Sequence, residues 1–133
     1  MSEDEVMQAL NARLEAMDRR DLGVVAGLCT DDAVVDTRGM EGIGGRFHGR
    51  EEIVGFYRAL FERMPEVKRT AENVKLSVTE NDALAAYDMR VQEKTEEGTR
   101  LLEVKRVADL WRKTEQGWKV RLHVLGSVEK KEG

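Results

Sequence analysis

A chain with one cysteine, Cys29, cannot close a disulfide within itself. That thiol ends an apolar helical run and reads as a small buried hydrophobe. Neither histidine lies near it in sequence to act as the base a catalytic thiol needs. Proline is nearly absent too, with Pro65 alone. The two histidines, His48 and His123, form no H-x-H or H-x-x-x-H pair, and there is no C-x-x-C, so no metal or cofactor is expected. No apolar run is long enough to span a membrane. The acidic start, Met-Ser-Glu-Asp-Glu, lacks the pattern of a signal peptide, and a cytoplasmic location is expected. An excess of one charge is also missing. The 26 acidic and 22 basic residues nearly cancel and are interspersed, without the basic stripe of a nucleic-acid binder.

At 133 residues, one domain spanning 1–133 around a single core is expected. Charged residues make up 36% of it, which reads as a heavily solvated surface. Val6, Leu10, Leu14 and Met17 recur at helical spacing, with Arg13 beside that stripe. Asp21 then caps a shorter helix whose Leu22, Val25, Ala26 and Leu28 turn inward. Thr30-Asp31-Asp32 breaks it, and Ala33 to Asp36 reads as a short strand. Gly39, Gly42, Gly44, Gly45 and Gly49 follow without the G-K-[ST] of a phosphate loop. This stretch is read as a mobile loop, of the kind that forms lids, with Phe47 and His48 at its far end. A third helix begins near Arg50 and puts Ile53, Phe56, Tyr57, Leu60, Phe61 and Met64 on one wide face. Pro65 closes it.

After Pro65 the period changes to two. Val74, Leu76 and Val78 alternate with polar residues, and Ala85, Tyr87, Met89 and Val91 share one face of the next strand. Leu101 to Val128 then forms two long segments folded at Thr114-Glu115-Gln116-Gly117. Helices followed by a meander of strands indicate an α+β fold. The expectation is a curved antiparallel sheet of about four long strands plus a short one, packed on three N-terminal helices.

Several stretches taken together resemble a known group. They are Asp21-Leu22 before Leu28, Thr30 to Val35, Phe47-His48-Gly49-Arg50-Glu51-Glu52-Ile53 with Phe56-Tyr57, Val107 to Lys113, and Gly117 to Val120. In order and spacing they are similar to the SnoaL-like group of the nuclear transport factor 2-like superfamily, over roughly residues 5 to 127. The resemblance implies a cone-shaped roll with a ligand pocket inside and dimerisation through the outer face of the sheet. It implies no single activity, because the superfamily holds isomerases, cyclases, dehydratases, epoxide hydrolases and non-catalytic domains.

Carried over residue by residue, the ketosteroid isomerase pattern matches at one of three positions. Arg13 stands near where it has a tyrosine, and Thr37 stands where it has a base. Asp36, one residue earlier, points to the opposite strand face. Only Asp109 falls where that pattern has its acid. The epoxide hydrolase pattern is reversed: Asp88 and Arg90 read D-x-R here in place of R-x-D.

The chemistry therefore centres on Asp109, with Val107 and Trp111 beside it on one strand face. Two readings stand. An apolar setting would raise its pKa and make it a general acid, or a base with Asp36, His48 or Tyr57 as partner. Alternatively it pairs with Arg13 or Arg112 and neutralises charge. Asp109 and Asp36 are the catalytic candidates; Arg13, Met17, His48, Phe56, Tyr57, Tyr87 and Trp111 are the candidates for binding substrate. His123 alternates with Leu122 and Val124 and reads as an interface or rim residue. The expected function is a cofactor-independent isomerase, cyclase or dehydratase acting on a small apolar carbonyl compound, in a pocket of roughly several hundred Å3 that holds Asp109. The alternative is a ligand-binding or dimerisation domain without catalysis. The expected partners are a small hydrophobic molecule and a second copy of the chain, with neither nucleic acid nor membrane.

Overall fold

The computed structural model describes residues 2–40 and 42–130, and side chains at 3–40 and 42–126. Helix α1 (Ser2–Asp18) buries Val6, Leu10, Leu14 and Met17, the stripe read from the sequence, and Arg13 with them. Arg20 adopts a left-handed φ of 60° just after it. Asp21 then caps α2 (Leu22–Gly27) by accepting from the Val24 amide at 3.1 Å. Helix α3 (Gly49–Arg63) buries Ile53, Phe56, Tyr57, Leu60 and Phe61. Met64 is extended, as a residue before proline must be, and that stops the helix.

Six strands form one sheet in the order β2-β1-β6-β5-β4-β3. They are β1 (Cys29–Asp36), β2 (Arg46–His48), β3 (Val67–Val78), β4 (Asp82–Thr95), β5 (Gly98–Thr114) and β6 (Gly117–Lys130). The four long strands are those expected, and two features differ. Strand β1 begins at Cys29, not Ala33, and pairs parallel with β6, so the sheet is mixed. The glycine-rich stretch also contains β2, which pairs antiparallel with β1. It is a tightly folded turn, with the Thr37 amide bonded to the Gly45 carbonyl at 2.7 Å. A Cβ on Gly44 would run into the carbonyl oxygens of Met40 and Thr37, so only glycine fits there.

Bulges interrupt the ladders and bend the sheet. The one that matters for the site lies in β6. Leu110 pairs with Leu122 while Trp111 pairs with Val120, so Arg121 is an extra residue. Trp118 and Val120 face inward before it, and His123 and Leu125 face inward after it. Simple alternation would have sent His123 outward. The inner face also takes Ala83, Ala85, Tyr87, Met89 and Val91 from β4, and Lys105, Val107, Asp109 and Trp111 from β5. No helix among the described residues is long and apolar enough to cross a membrane.

Candidate functional site

Between the inner face of the sheet and helices α1 and α3 lies a cluster of five buried polar side chains: Arg13, Tyr57, Tyr87, Asp109 and His123. Register accounts for the pairing inside it. Asp109 lies directly across from His123, and Tyr87 lies across from Val107, two residues along the same inner face. The Tyr87 hydroxyl donates to Asp109 Oδ2 at 2.7 Å, and His123 Nδ1 meets Asp109 Oδ1 at 2.6 Å. On the helix side, Arg13 Nη2 donates to the Tyr57 hydroxyl oxygen.

These contacts show how Asp109 is held, and its partners differ from those expected. No ion pair joins it to Arg13, and Arg112 pairs with Asp82 instead, at 3.7 Å. Nor is it an isolated carboxyl in apolar surroundings. Burial pushes its pKa up, but the charge and hydrogen bond of His123, the charge of Arg13 and the Tyr87 bond outweigh that. The carboxyl ends below its ordinary value. Burial acts the other way on His123 and, with Arg13 nearby, holds its imidazole below the usual range against the pull of Asp109. An ionised carboxylate only accepts, so the proton between them sits on Nδ1 and leaves Nε2 with its lone pair.

Burial also raises the Tyr87 and Tyr57 hydroxyl pKa values, so both rings stay neutral. Arg13 keeps its charge: burial opposes it, but the groups around it, with Asp109 as the nearby anion, outweigh burial. Its Nε and Nη1 have no hydrogen-bond partner among the described residues, and neither has Trp111 Nε1. The Cys29 thiol is buried as expected and donates to the Val25 carbonyl at 3.5 Å.

Next to this cluster is a small cavity lined by Met17, Thr37, Met40, Phe56, Tyr57, Leu60, Arg69, Met89, Lys105, His123 and Leu125. It leaves about 10 Å3 for the centre of a water-sized sphere, far below the volume expected, and Asp109 is behind its wall. Among the binding candidates, Met17, Phe56 and Tyr57 line it. Arg13 and Tyr87 lie one shell back, hydrogen-bonded to Tyr57 and Asp109. Trp111 is fully buried on the same strand face as Asp109.

Two candidates are not brought to the cluster. Asp36 points away from the inner face, as the alternation of β1 requires, and Arg38 grips both its oxygens at 3.0 and 2.8 Å. That hydrogen-bonded pair holds its carboxyl below the ordinary range. His48 is exposed at the start of α3, where its amide donates to Glu52 Oε1 at 3.0 Å. His123 was read as a rim residue, yet it is only 2% exposed and stands at the centre of the site. The signal that could have found it is the phase of Trp118 and Val120, which requires a bulge before a histidine can face inward.

No cluster of three or more His, Cys, Asp or Glu side chains suited to a metal ion occurs among the described residues. No protein of curated function matches the chain. Solved structures do match in fold. A cystatin-like protein of unknown function from Nostoc punctiforme superposes with a TM-score of 0.80 at 17% identity, covering 96% of this chain and 90% of the other. A candidate dehydratase of the NTF2-like family from Streptomyces avermitilis gives 0.76 at 18%, covering 100% of both. A protein from Catenulispora acidiphila solved in complex with S-DNPA gives 0.77 at 20%, covering 92% of both. The family model of the SnoaL-like domain matches residues 1–123, and the chain belongs to that family.

Proposed function

We propose that this SnoaL-like protein binds a small carbonyl compound in the interior cavity and moves a proton on it, without a cofactor. The observation that carries this reading is the chain Tyr87–Asp109–His123, which ends at a cavity-lining imidazole. Asp109 and Tyr87 fix the tautomer and rotation of the ring; they are positioning residues. His123 Nε2 is the base. It takes a proton from the carbon next to a carbonyl, and the imidazolium that forms is stabilised by the Asp109 carboxylate. The electron pair left behind moves to the carbonyl oxygen as an enolate.

Tyr57 lines the same cavity and supplies the matching donor. Its oxygen already accepts from Arg13, so its own proton is free for the enolate oxygen, with the guanidinium charge behind it. Return of the proton to another carbon gives isomerisation, and its delivery to a leaving hydroxyl gives dehydration. Each step uses a group of this chain. The test is α-proton exchange of 2-tetralone in D2O, followed by proton NMR. Wild-type protein should accelerate it, His123→Gln should remove the acceleration, and Tyr57→Phe should lower it by roughly 10²-fold. Equal exchange by wild type and His123→Gln would sink the proposal.

A second reading is a binding and dimerisation domain without catalysis. The tight cavity favours it, as does the outer sheet face, where Leu84, Leu110 and Leu122 lie in register across three strands. Leu84 is 59% exposed, and Ala86, Ala108 and Val124 form the next row. Such a row suits a second copy of the chain. Leu84→Asp should then turn a dimer into a monomer in sedimentation, and an unchanged mass would count against the interface.

A further inference from the structure

Two more charged groups on the cavity wall take no part in that chemistry. Arg69 is 6% exposed and Lys105 is 4% exposed, both on inward positions that the rest of the sheet gives mainly to apolar side chains. They stand on β3 and β5, on either side of Met89 and Val91 of β4. One strand lies between theirs and their partners on it are two residues apart, which puts them roughly 12 Å apart at the backbone, a gap that two long side chains can close over a small group.

We propose that Arg69 and Lys105 form a carboxylate subsite, and that the ligand is an apolar organic acid. This rests on the interior cavity being the ligand site. The first support is the composition of the wall. Among the described residues it carries Arg69, Lys105 and His123 and no acidic side chain; the remainder is apolar apart from Thr37 and Tyr57. An anion entering it meets donors and no like charge.

The second support is where the counter-charges sit. Asp18 binds Arg69 at 2.8 Å and Glu103 binds Lys105 at 3.0 Å. Both carboxylates lie outside the cavity lining, and their side chains are 20% and 22% exposed, against 3% and 6% for the cations. The acids lie on the solvent side, and the cations reach the cavity. A third support is unspent donor capacity. Arg69 Nη2 rests on the Met64 sulfur at 3.3 Å, a weak acceptor that a carboxylate oxygen would outcompete. Lys105 uses one of its three protons on Glu103.

The opposite end of the wall fits the rest of such a molecule. Phe56, Leu60 and Leu125 offer apolar contact, and the methionines Met17, Met40 and Met89 are the side chains able to turn aside. In the present packing the cavity admits about one water, so entry of a ligand requires that turning. Lys105 is four residues along β5 from Asp109, the partner of His123, roughly 13 Å of strand. The carboxylate therefore lies several bonds from the atom that meets the imidazole.

The test uses the whole chain and matched probes: phenylacetate, 3-phenylpropanoate and 4-phenylbutanoate, each beside its neutral amide. Calorimetry gives affinity, and NMR of the His123 ring and methionine methyl groups gives location. The best acid should bind about tenfold tighter than its amide. Lys105→Met and Arg69→Met should each bring the ratio of acid to amide affinity down to about one. Glu103→Gln releases Lys105 from its partner and should tighten acid binding, a gain that a purely structural role for the pair would not give. If Arg69→Met fails to fold, Lys105→Met and Glu103→Gln decide. Equal binding of acid and amide, with shifts at His123, overturns the carboxylate subsite and leaves the cavity reading standing. Binding of neither, or binding without shifts at His123, overturns both.

Discussion

Two hollows among the described residues run in opposite directions in size and chemistry. An open cleft of about 570 Å3 lies among Thr30, Asp31, Asp32, Arg50, Arg112, Thr114, Glu115, Gln116 and Lys119. The interior cavity beside His123 admits about 10 Å3. In the cleft, the charges balance and face water: Arg50 meets Asp31 at 2.7 Å with side chains 40% and 90% exposed. Solvent screens that pair. Beside the cavity, two rings and a carboxylate are locked together out of water. The difference teaches that burial, not volume, concentrates chemistry here, because a charge or lone pair counts for more where water is excluded.

The contrast can be broken most directly at Asp109. Asp109→Ala strips two buried donors of their acceptor and leaves Arg13 the uncompensated charge, so the loss should be about 3–5 kcal/mol in urea denaturation. A loss under about 1 kcal/mol would mean that the interior is wetter than its burial indicates.

Acid titration of stability sharpens the same contrast. The unfolded chain protonates His123 near 6.5, whereas the folded site resists protonation to lower pH. The stability this gives is complete above about pH 6.5 and is lost as pH falls through the folded pKa. Asp109 is depressed as well, so its share is present above the unfolded carboxylate value of 3.8 and is lost as pH falls through its lower folded pKa. Stability of the wild type should therefore decline in two stages on acidification. His123→Gln should abolish the stage that begins near pH 6.5; a full decline in that variant would place the upper titration elsewhere. The smallest effect belongs to the cleft. Asp31→Asn should change stability by no more than about 0.5 kcal/mol in the same assay, and a larger loss would break the comparison from its other side.

Much of the frame was legible in the residues themselves. Helical spacing located α1 and α3, period-two alternation located the four long strands, and Pro65 ended α3. Asp109 stood out because a carboxylate in an apolar strand needs a reason. What hid was everything that depends on contacts between distant segments. The parallel docking of β1 on β6 leaves no local mark, and three-residue β2 is too short for a period to show. Asp36 misled by type: its neighbour Arg38 satisfies it two residues away, and its strand face points outward. His123 hid for a different reason, since alternation was applied across a break in the alternation.

That break, the extra residue Arg121, separates two decisions that a regular strand would tie together. Ahead of it, residue parity assigns Trp118 and Val120 to the interior; after it, the opposite parity assigns His123 and Leu125. The bulge thus lets an odd-numbered histidine share the inner face with the even-numbered residues ahead of it. Removal of Arg121 would make the ladder regular and leave His123 and Leu125 inward, whereas a strand that kept Arg121 without the bulge would turn Leu122 and Val124 inward and place the imidazole on the outside of the sheet. In families built on this sheet, the presence of a histidine in the last strand is therefore half of the information. The other half is whether a bulge lies between it and the turn.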